Sequence, residues 1–193
     1  SSTDYHQHGP ARALRRSRTD TIALVISEAG YPVLDRMALG VEQQARRSGM
    51  TVFLAHSGDD PEQELAAVLA LRDRRVDGIL LAPVVNSLPE IPQLLAASEV
   101  PLVLLDRPSP SEIDQVSVSN SEPTGELVEH VVRAGHRRIA FVAQGSFVST
   151  FDERLAGYEG AMASAGLARM VIRADEASTI RPMLRELLDS PTR

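Results

Sequence analysis

Short apolar runs recur along the chain at near-regular intervals: TIALVIS (21–27), TVFLAH (51–56), DGILLAP (77–83), PLVLLD (101–106), VSVSN (116–120), RIAFVA (138–143) and MVIRA (170–174). Most are nearly continuous rather than alternating in polarity. That pattern suits strands covered on both faces, as in a parallel sheet. Amphipathic stretches lie between them. One carries Val33, Leu34, Met37, Leu39 and Val41 and closes at Gly49, a helix stop. Another opens at Asp60, an N-cap, with Leu65, Val68, Leu69 and Leu71 on one side. A third groups Leu127, Val128, Val131 and Val132 and stops at Gly135; ERLAGYEGAMASAG and IRPMLRELLDS repeat the theme. Strands alternating with helices mean βαβ units in an open, doubly wound α/β sheet.

The alternation breaks once. PLVLLD is followed by the Pro/Ser-rich RPSPSEID and then directly by the strand-like DQVSVSN, with no helix between. After the break the βα pattern restarts. The chain therefore divides into an arm over 1–19, a first α/β subdomain over 20–114 and a second over 115–193. Two such subdomains enclose a cleft at their strand carboxyl ends, where ligands bind. Three βα units leave much sheet edge uncovered, so the second subdomain is expected to be partial.

The chain has 193 residues and a net charge of −6, an acidic balance that argues against a nucleic-acid-binding main body. The charge is uneven: Arg12, Arg15, Arg16 and Arg18 crowd the arm against Asp4 alone. Lysine is absent, which excludes Walker-type phosphate binding and Schiff-base catalysis. Cysteine is absent too, excluding disulfides, thiolate metal sites and Cys nucleophiles, and agreeing with a cytoplasmic protein. No apolar run is long enough for a membrane helix, and SSTDYHQHGPARALRR has no signal-peptide core.

The segments ARALRRSRTDTIALVIS, RVDGILLAP, VPLVLLDR, EHVVRAGHRRIAFV and ERLAGYEGAMASAGL together resemble the LacI/GalR family of bacterial transcription regulators. The block GHRRIAFV…RLAGY is the most specific part. The resemblance implies an N-terminal helix-turn-helix that reads an operator, a short hinge, and a two-subdomain effector core of the type I periplasmic-binding-protein kind. Residues 1–19 would be the hinge and linker following a helix-turn-helix not present here. The family segment carrying an effector-gripping Asp is also not present.

In the family the hinge folds on DNA and a Leu wedges into the minor groove. Leu14 matches it, with Arg12, Arg15 and Arg16 near phosphates. The alternative is a solvated arm. Arg154, opening RLAGY, is the implied effector ligand, since a guanidinium fork bridges two hydroxyls or a carboxylate. The alternative is pairing with Asp152 or Glu153 at the helix start. Thr150 and Phe151, on the preceding loop, would supply a hydroxyl contact and ring stacking. Tyr31 would stack on an effector ring, against an alternative of rim packing. Ser27, Asn120 and Glu122 are further effector candidates; for the last two the alternative is N-capping. Asp106 and Arg107 read as a structural turn or salt bridge. His6 and His8 lack the acids or cysteines of a metal site, and His136 reads as a helix cap.

The chain thus reads as the small-ligand-sensing and dimerising core of a DNA-binding regulator, a repressor. Its partners would be a sugar or nucleoside-like effector, operator DNA and a second copy, the dimer using the helix at 33–48. No cofactor is implied. The alternative is a periplasmic-type sugar-binding protein, which would need a signal peptide where this chain has ARALRRSRT. An enzyme is disfavoured, because GxSxG, GxGxxG and Walker motifs are missing.

Overall fold

Successive residues of TIALVI point to opposite faces of their sheet, and both faces are covered. Ala23 and Val25 pack on one side; Leu24 and Ile26 pack on the other, and all four are buried. The computed structural model describes residues 18–27, 32–107, 112–144, 149–174 and 180–185. They belong to two units, divided between Ser117 and Val118.

The first unit runs β1 (Thr21–Ile26), α1 (Pro32–Arg47), β2 (Thr51–His56), α2 (Pro61–Asp73), β3 (Ile79–Leu81), α3 (Glu90–Ala97), β4 (Leu102–Leu105) and β5 (Gln115–Val116). The five strands form one sheet in the order β2-β1-β3-β4-β5, with every pairing parallel. Helices α2 and α3 cover one face: Val68, Leu71, Ile91 and Leu95 meet Ala23, Val25, Ile79, Leu81 and Leu104. Helix α1 covers the other, where Leu34 and Ala38 meet Leu24, Ile26 and Leu105. This is the doubly wound arrangement that the apolar runs require. Each fully buried Leu, Ile or Val contributes about 1.5–3 kcal/mol.

The local signals act as read. The Asp60 carboxylate accepts from the Glu62 N–H at 2.8 Å, and Pro61 follows at the first helical position. Those bonds hold the Asp60 carboxyl below its ordinary value, the Gln63 side-chain amide contributing most. Gly49 ends α1 with φ +73°, a left-handed conformation that glycine adopts without strain.

At the amino end of β1 the chain is tied down. Thr19 donates its N–H to Asp77 Oδ1 at 2.8 Å; its hydroxyl reaches the same oxygen at 3.1 Å and the Arg75 carbonyl at 3.0 Å.

One strand differs from the sequence reading. The strand expected over 116–120 is two residues long, Gln115–Val116, and completes the first sheet rather than opening a second. The reason lies in the unpaired backbone of β4. Leu104 N–H needs an acceptor and finds the Asp114 carbonyl, and Asp106 N–H finds that of Val116, both at 2.9 Å.

The second unit runs α4 (Ser121–Arg133), β6 (Ala140–Gln144), α5 (Ser149–Ser164) and β7 (Met170–Ala174), with residues 180–185 helical. β6 and β7 pair in parallel, Ala140 opposite Met170. Its core is Val128, Tyr158, Ala161 and Met162. Tyr158 is buried, and its hydroxyl joins the starts of both strands. It accepts from Met170 N–H at 2.7 Å and lies 2.8 Å from the Ile139 carbonyl, to which it donates. Helices α4 and α5 cross backbone to backbone. A Cβ on Gly157 would fall 2.1 Å from the Ser121 carbonyl oxygen, so only glycine fits there. Among the described residues no helix is long and apolar enough to cross a membrane.

Candidate functional site

In parallel α/β sheets ligands bind beyond the carboxyl ends of the strands. In the second unit those ends bring together Asn120 and Arg154. Asn120 precedes α4 and is buried, yet its side chain does not cap the helix. Its amide is used across the fold instead. Nδ2 donates to the Val118 carbonyl at 3.0 Å and to Glu153 Oε2 at 2.8 Å, while Oδ1 accepts from Arg154 Nε at 2.9 Å. The N-capping alternative for Asn120 therefore does not describe its side chain.

Arg154 is exposed. Its Nε is committed to Asn120, which fixes the plane of the guanidinium. The two terminal nitrogens make no hydrogen bond among the described residues. A planar fork with a fixed orientation is suited to adjacent hydroxyls or a carboxylate. Glu153 bonds to Asn120, so it lends negative charge beside the guanidinium without being the atom that holds it.

Thr150 and Phe151 lie in the first turn of α5, not on a preceding loop, because the helix already begins at Ser149. Thr150 is buried. The Phe151 ring meets Phe141 edge-on, centroids 5.5 Å apart at 70°, and the Arg173 guanidinium lies 5.1 Å from its centroid. Both faces of that chemistry, edge-to-face and cation–π, anchor the ring within the unit. Glu122 is exposed in the first turn of α4, where its charge suits the helix dipole.

In the first unit Ser27 directly follows β1 and is buried. Its carbonyl accepts from Gly58 N–H at 2.6 Å, joining the carboxyl ends of β1 and β2. Tyr31, Leu14, Arg12, Arg15 and Arg16 lie outside the described residues, as do His6 and His8. Among the described residues no group of three or more His, Cys, Asp or Glu side chains could hold a metal.

The sequence reading passed over Glu64. It sits on α2 with no exposed surface. Oε1 accepts from Val84 N–H at 2.7 Å, and Oε2 accepts from the Ser87 hydroxyl. Burial pushes its carboxyl above the ordinary value, against the opposing pull of the Ser87 hydroxyl, the Val84 amide and the positive charge of Arg107. Arg107 donates to the Pro83 carbonyl at 2.7 Å, so it is structural, as its position after β4 suggested. A polar residue within an apolar helical stretch was the available signal.

A cavity of about 720 Å³ lies at the opposite, amino ends of β1, β3 and β4, lined by Arg18, Arg72, Arg75, Asp77 and Glu99 among others. It is wide and charged, and its place at the amino ends sets it apart from the candidate site.

Comparison with known proteins agrees with this architecture. Residues 19–191 match the model for periplasmic binding proteins and the sugar-binding domain of the LacI family. The chain is 29% identical over 158 residues to the maltose regulon regulatory protein MalI of Escherichia coli, covering 81% of this chain and 46% of that one. It is 30% identical over 171 residues to the transcriptional repressor PurR of Aliivibrio fischeri, covering 86% and 49%. The chain thus spans about half the length of the curated relatives it matches. The Cra transcriptional dual regulator of Pseudomonas putida, solved with fructose 1-phosphate, shares the fold at a TM-score of 0.79 and 20% identity, over 89% of this chain and 66% of its own. With the match running over residues 19–191, the chain belongs to the family of periplasmic binding proteins and LacI-type sugar-binding domains.

Proposed function

We propose that this chain is the effector-sensing and dimerising core of a cytoplasmic, DNA-binding transcription regulator that acts as a repressor. The observation that carries the reading is the Arg154 guanidinium, an exposed residue in the first half of α5 whose Nε is held by Asn120. Relatives of this chain are a regulon regulatory protein and a transcriptional repressor, and neither is an enzyme by name. The effector is a small polyol or ring, sugar or nucleoside-like, whose hydroxyls or acid group meet Arg154. In the second unit Asn120, Glu122, Thr150 and Phe151 support that contact; in the first, Ser27 and Tyr31 are the candidates.

The mechanism is conformational coupling. An effector that binds one conformation better than another shifts their populations, and the shift changes operator affinity. Leu14, Arg12, Arg15 and Arg16 would face the DNA as a hinge. The second copy would pack on α1 and the adjoining edge strand β2. Those elements expose Val33, Leu39, Phe53 and Leu54, four large apolar side chains. The test uses the full-length regulator and its own upstream DNA, with sugars and nucleosides screened for a change in binding. Operator binding that responds to one of them supports the reading. A protein that binds no DNA with or without effector overturns it.

A further inference from the structure

We propose that Glu64 is a positioning residue that latches the turn Val84–Ser87 at the carboxyl end of β3, holding that end in one shape for the ligand; the last clause rests on the effector reading above. The turn is closed by Ser87 N–H on the Val84 carbonyl at 3.2 Å. Asn86, its third residue, has φ +58° and is exposed at the tip; Asn tolerates that left-handed conformation better than most residues. Glu64 takes hold of both ends of this turn at once, the Val84 N–H with one carboxylate oxygen and the Ser87 hydroxyl with the other. Arg107 holds the residue just before it, through the Pro83 carbonyl.

This is an expensive way to fill a core position. Val68 and Leu71, on the same helix, are buried and apolar, and a third apolar side chain would avoid burying a carboxyl group. What the carboxyl adds is direction, since its two oxygens can be satisfied by only one arrangement of the turn. β3 is the central strand of the sheet, so its carboxyl end is where a bound ligand meets this unit.

The experiment is amide hydrogen exchange, residue by residue, on the whole chain. Glu64→Ala is expected to speed exchange at Val84 by about tenfold or more, leaving Leu24 and Val25 of β1 in step with global stability. Glu64→Gln is expected to restore protection, because its carbonyl accepts from Val84 and its amide meets the Ser87 hydroxyl. Should Glu64→Ala not fold, Ser87→Ala breaks one of the two bonds and gives the same local readout. Unchanged exchange at Val84, or uniform acceleration at every amide, overturns the latch. In parallel, D-ribose and D-fructose 1-phosphate are titrated by calorimetry. A sugar that binds the wild type is expected to weaken about tenfold with Glu64→Ala and recover with Glu64→Gln. If neither binds the wild type, a sugar effector is disfavoured, while the exchange data still decide the latch.

Discussion

Asn120 and Arg154, far apart in the chain, meet through a 2.9 Å hydrogen bond from the guanidinium Nε to the amide Oδ1. The amide orients the cation, the group proposed to meet the effector. Arg154→Ala is expected to weaken effector binding about tenfold to a hundredfold, the range of a hydrogen bond to a charged group. Arg154→Lys should recover little, because an ammonium cannot use Asn120 and a ligand in one plane. Asn120→Ala, with the arginine kept, should show a smaller loss. Calorimetry with a ligand that binds the wild type measures all three, and operator binding without effector should survive Arg154→Ala.

The crossing of α4 and α5 sets a sharp contrast among glycines. Gly157→Ala drives a methyl into the Ser121 carbonyl and is expected to destabilise by about 1–3 kcal/mol or more. Gly160→Ala, three residues on in the same helix with nothing within 4 Å of its Cβ, should stabilise by up to about 1 kcal/mol. Urea midpoints of the two variants should move in opposite directions.

Tyr158→Phe keeps the ring and removes the hydroxyl. Met170 N–H then loses its acceptor at the start of β7. The expected cost is about 1–3 kcal/mol, the penalty for a buried donor left unpaired. Thermal unfolding checks it, and the aromatic contact with Phe141 (centroids 5.4 Å apart) should persist in the variant's spectrum.

Glu64 makes stability depend on pH in a definite direction. Its carboxyl is raised in the folded protein, so the folded state favours the neutral acid. The stabilisation is complete below the ordinary value of 4.5 and is lost as pH rises through the folded-state value. Glu64→Gln lacks that titration. The wild type should therefore gain stability relative to Glu64→Gln as the pH falls through the raised folded-state value toward 4.5. Denaturant unfolding of both across that range tests the sign.

Leu39 and Phe53 are 54% and 40% exposed on α1 and β2. If a second copy covers them, Leu39→Arg and Phe53→Asp should each weaken self-association about tenfold or more without changing the fold. Sedimentation equilibrium together with circular dichroism separates the two effects.

Local features of the fold were legible because their causes are local. The β1 run, the Asp60 cap and the Gly49 stop each follow from neighbours within a few residues. The assignment of Gln115–Val116 failed for the opposite reason: its sheet is chosen by open acceptor needs on β4, ten residues back and across a break. Arg154 could be named from RLAGY, but its bond to Asn120 could not, since no periodicity links positions so distant. Thr150 and Phe151 were placed on a loop because the polar start of α5 hides a helix that begins early. Glu64 was passed over for a simpler reason. A glutamate in a helix normally faces water, and only the backbone of a turn twenty residues later shows why this one does not.

The tie between Thr19 and Asp77 has a mechanical consequence. The last residue of the arm is bound through its N–H to Asp77, and its hydroxyl lies within hydrogen-bond reach of the Asp77 carboxylate and the Arg75 carbonyl, just ahead of β3. These contacts clamp the joint between Thr19 and the segment ahead of β3. Motion of the segment ahead of β3 is therefore handed to Thr19 directly, as a bracket carries the motion of the wall it is bolted to. Asp77→Ala, which removes the acceptor of the Thr19 N–H, would loosen that bracket while leaving the strands themselves unaltered.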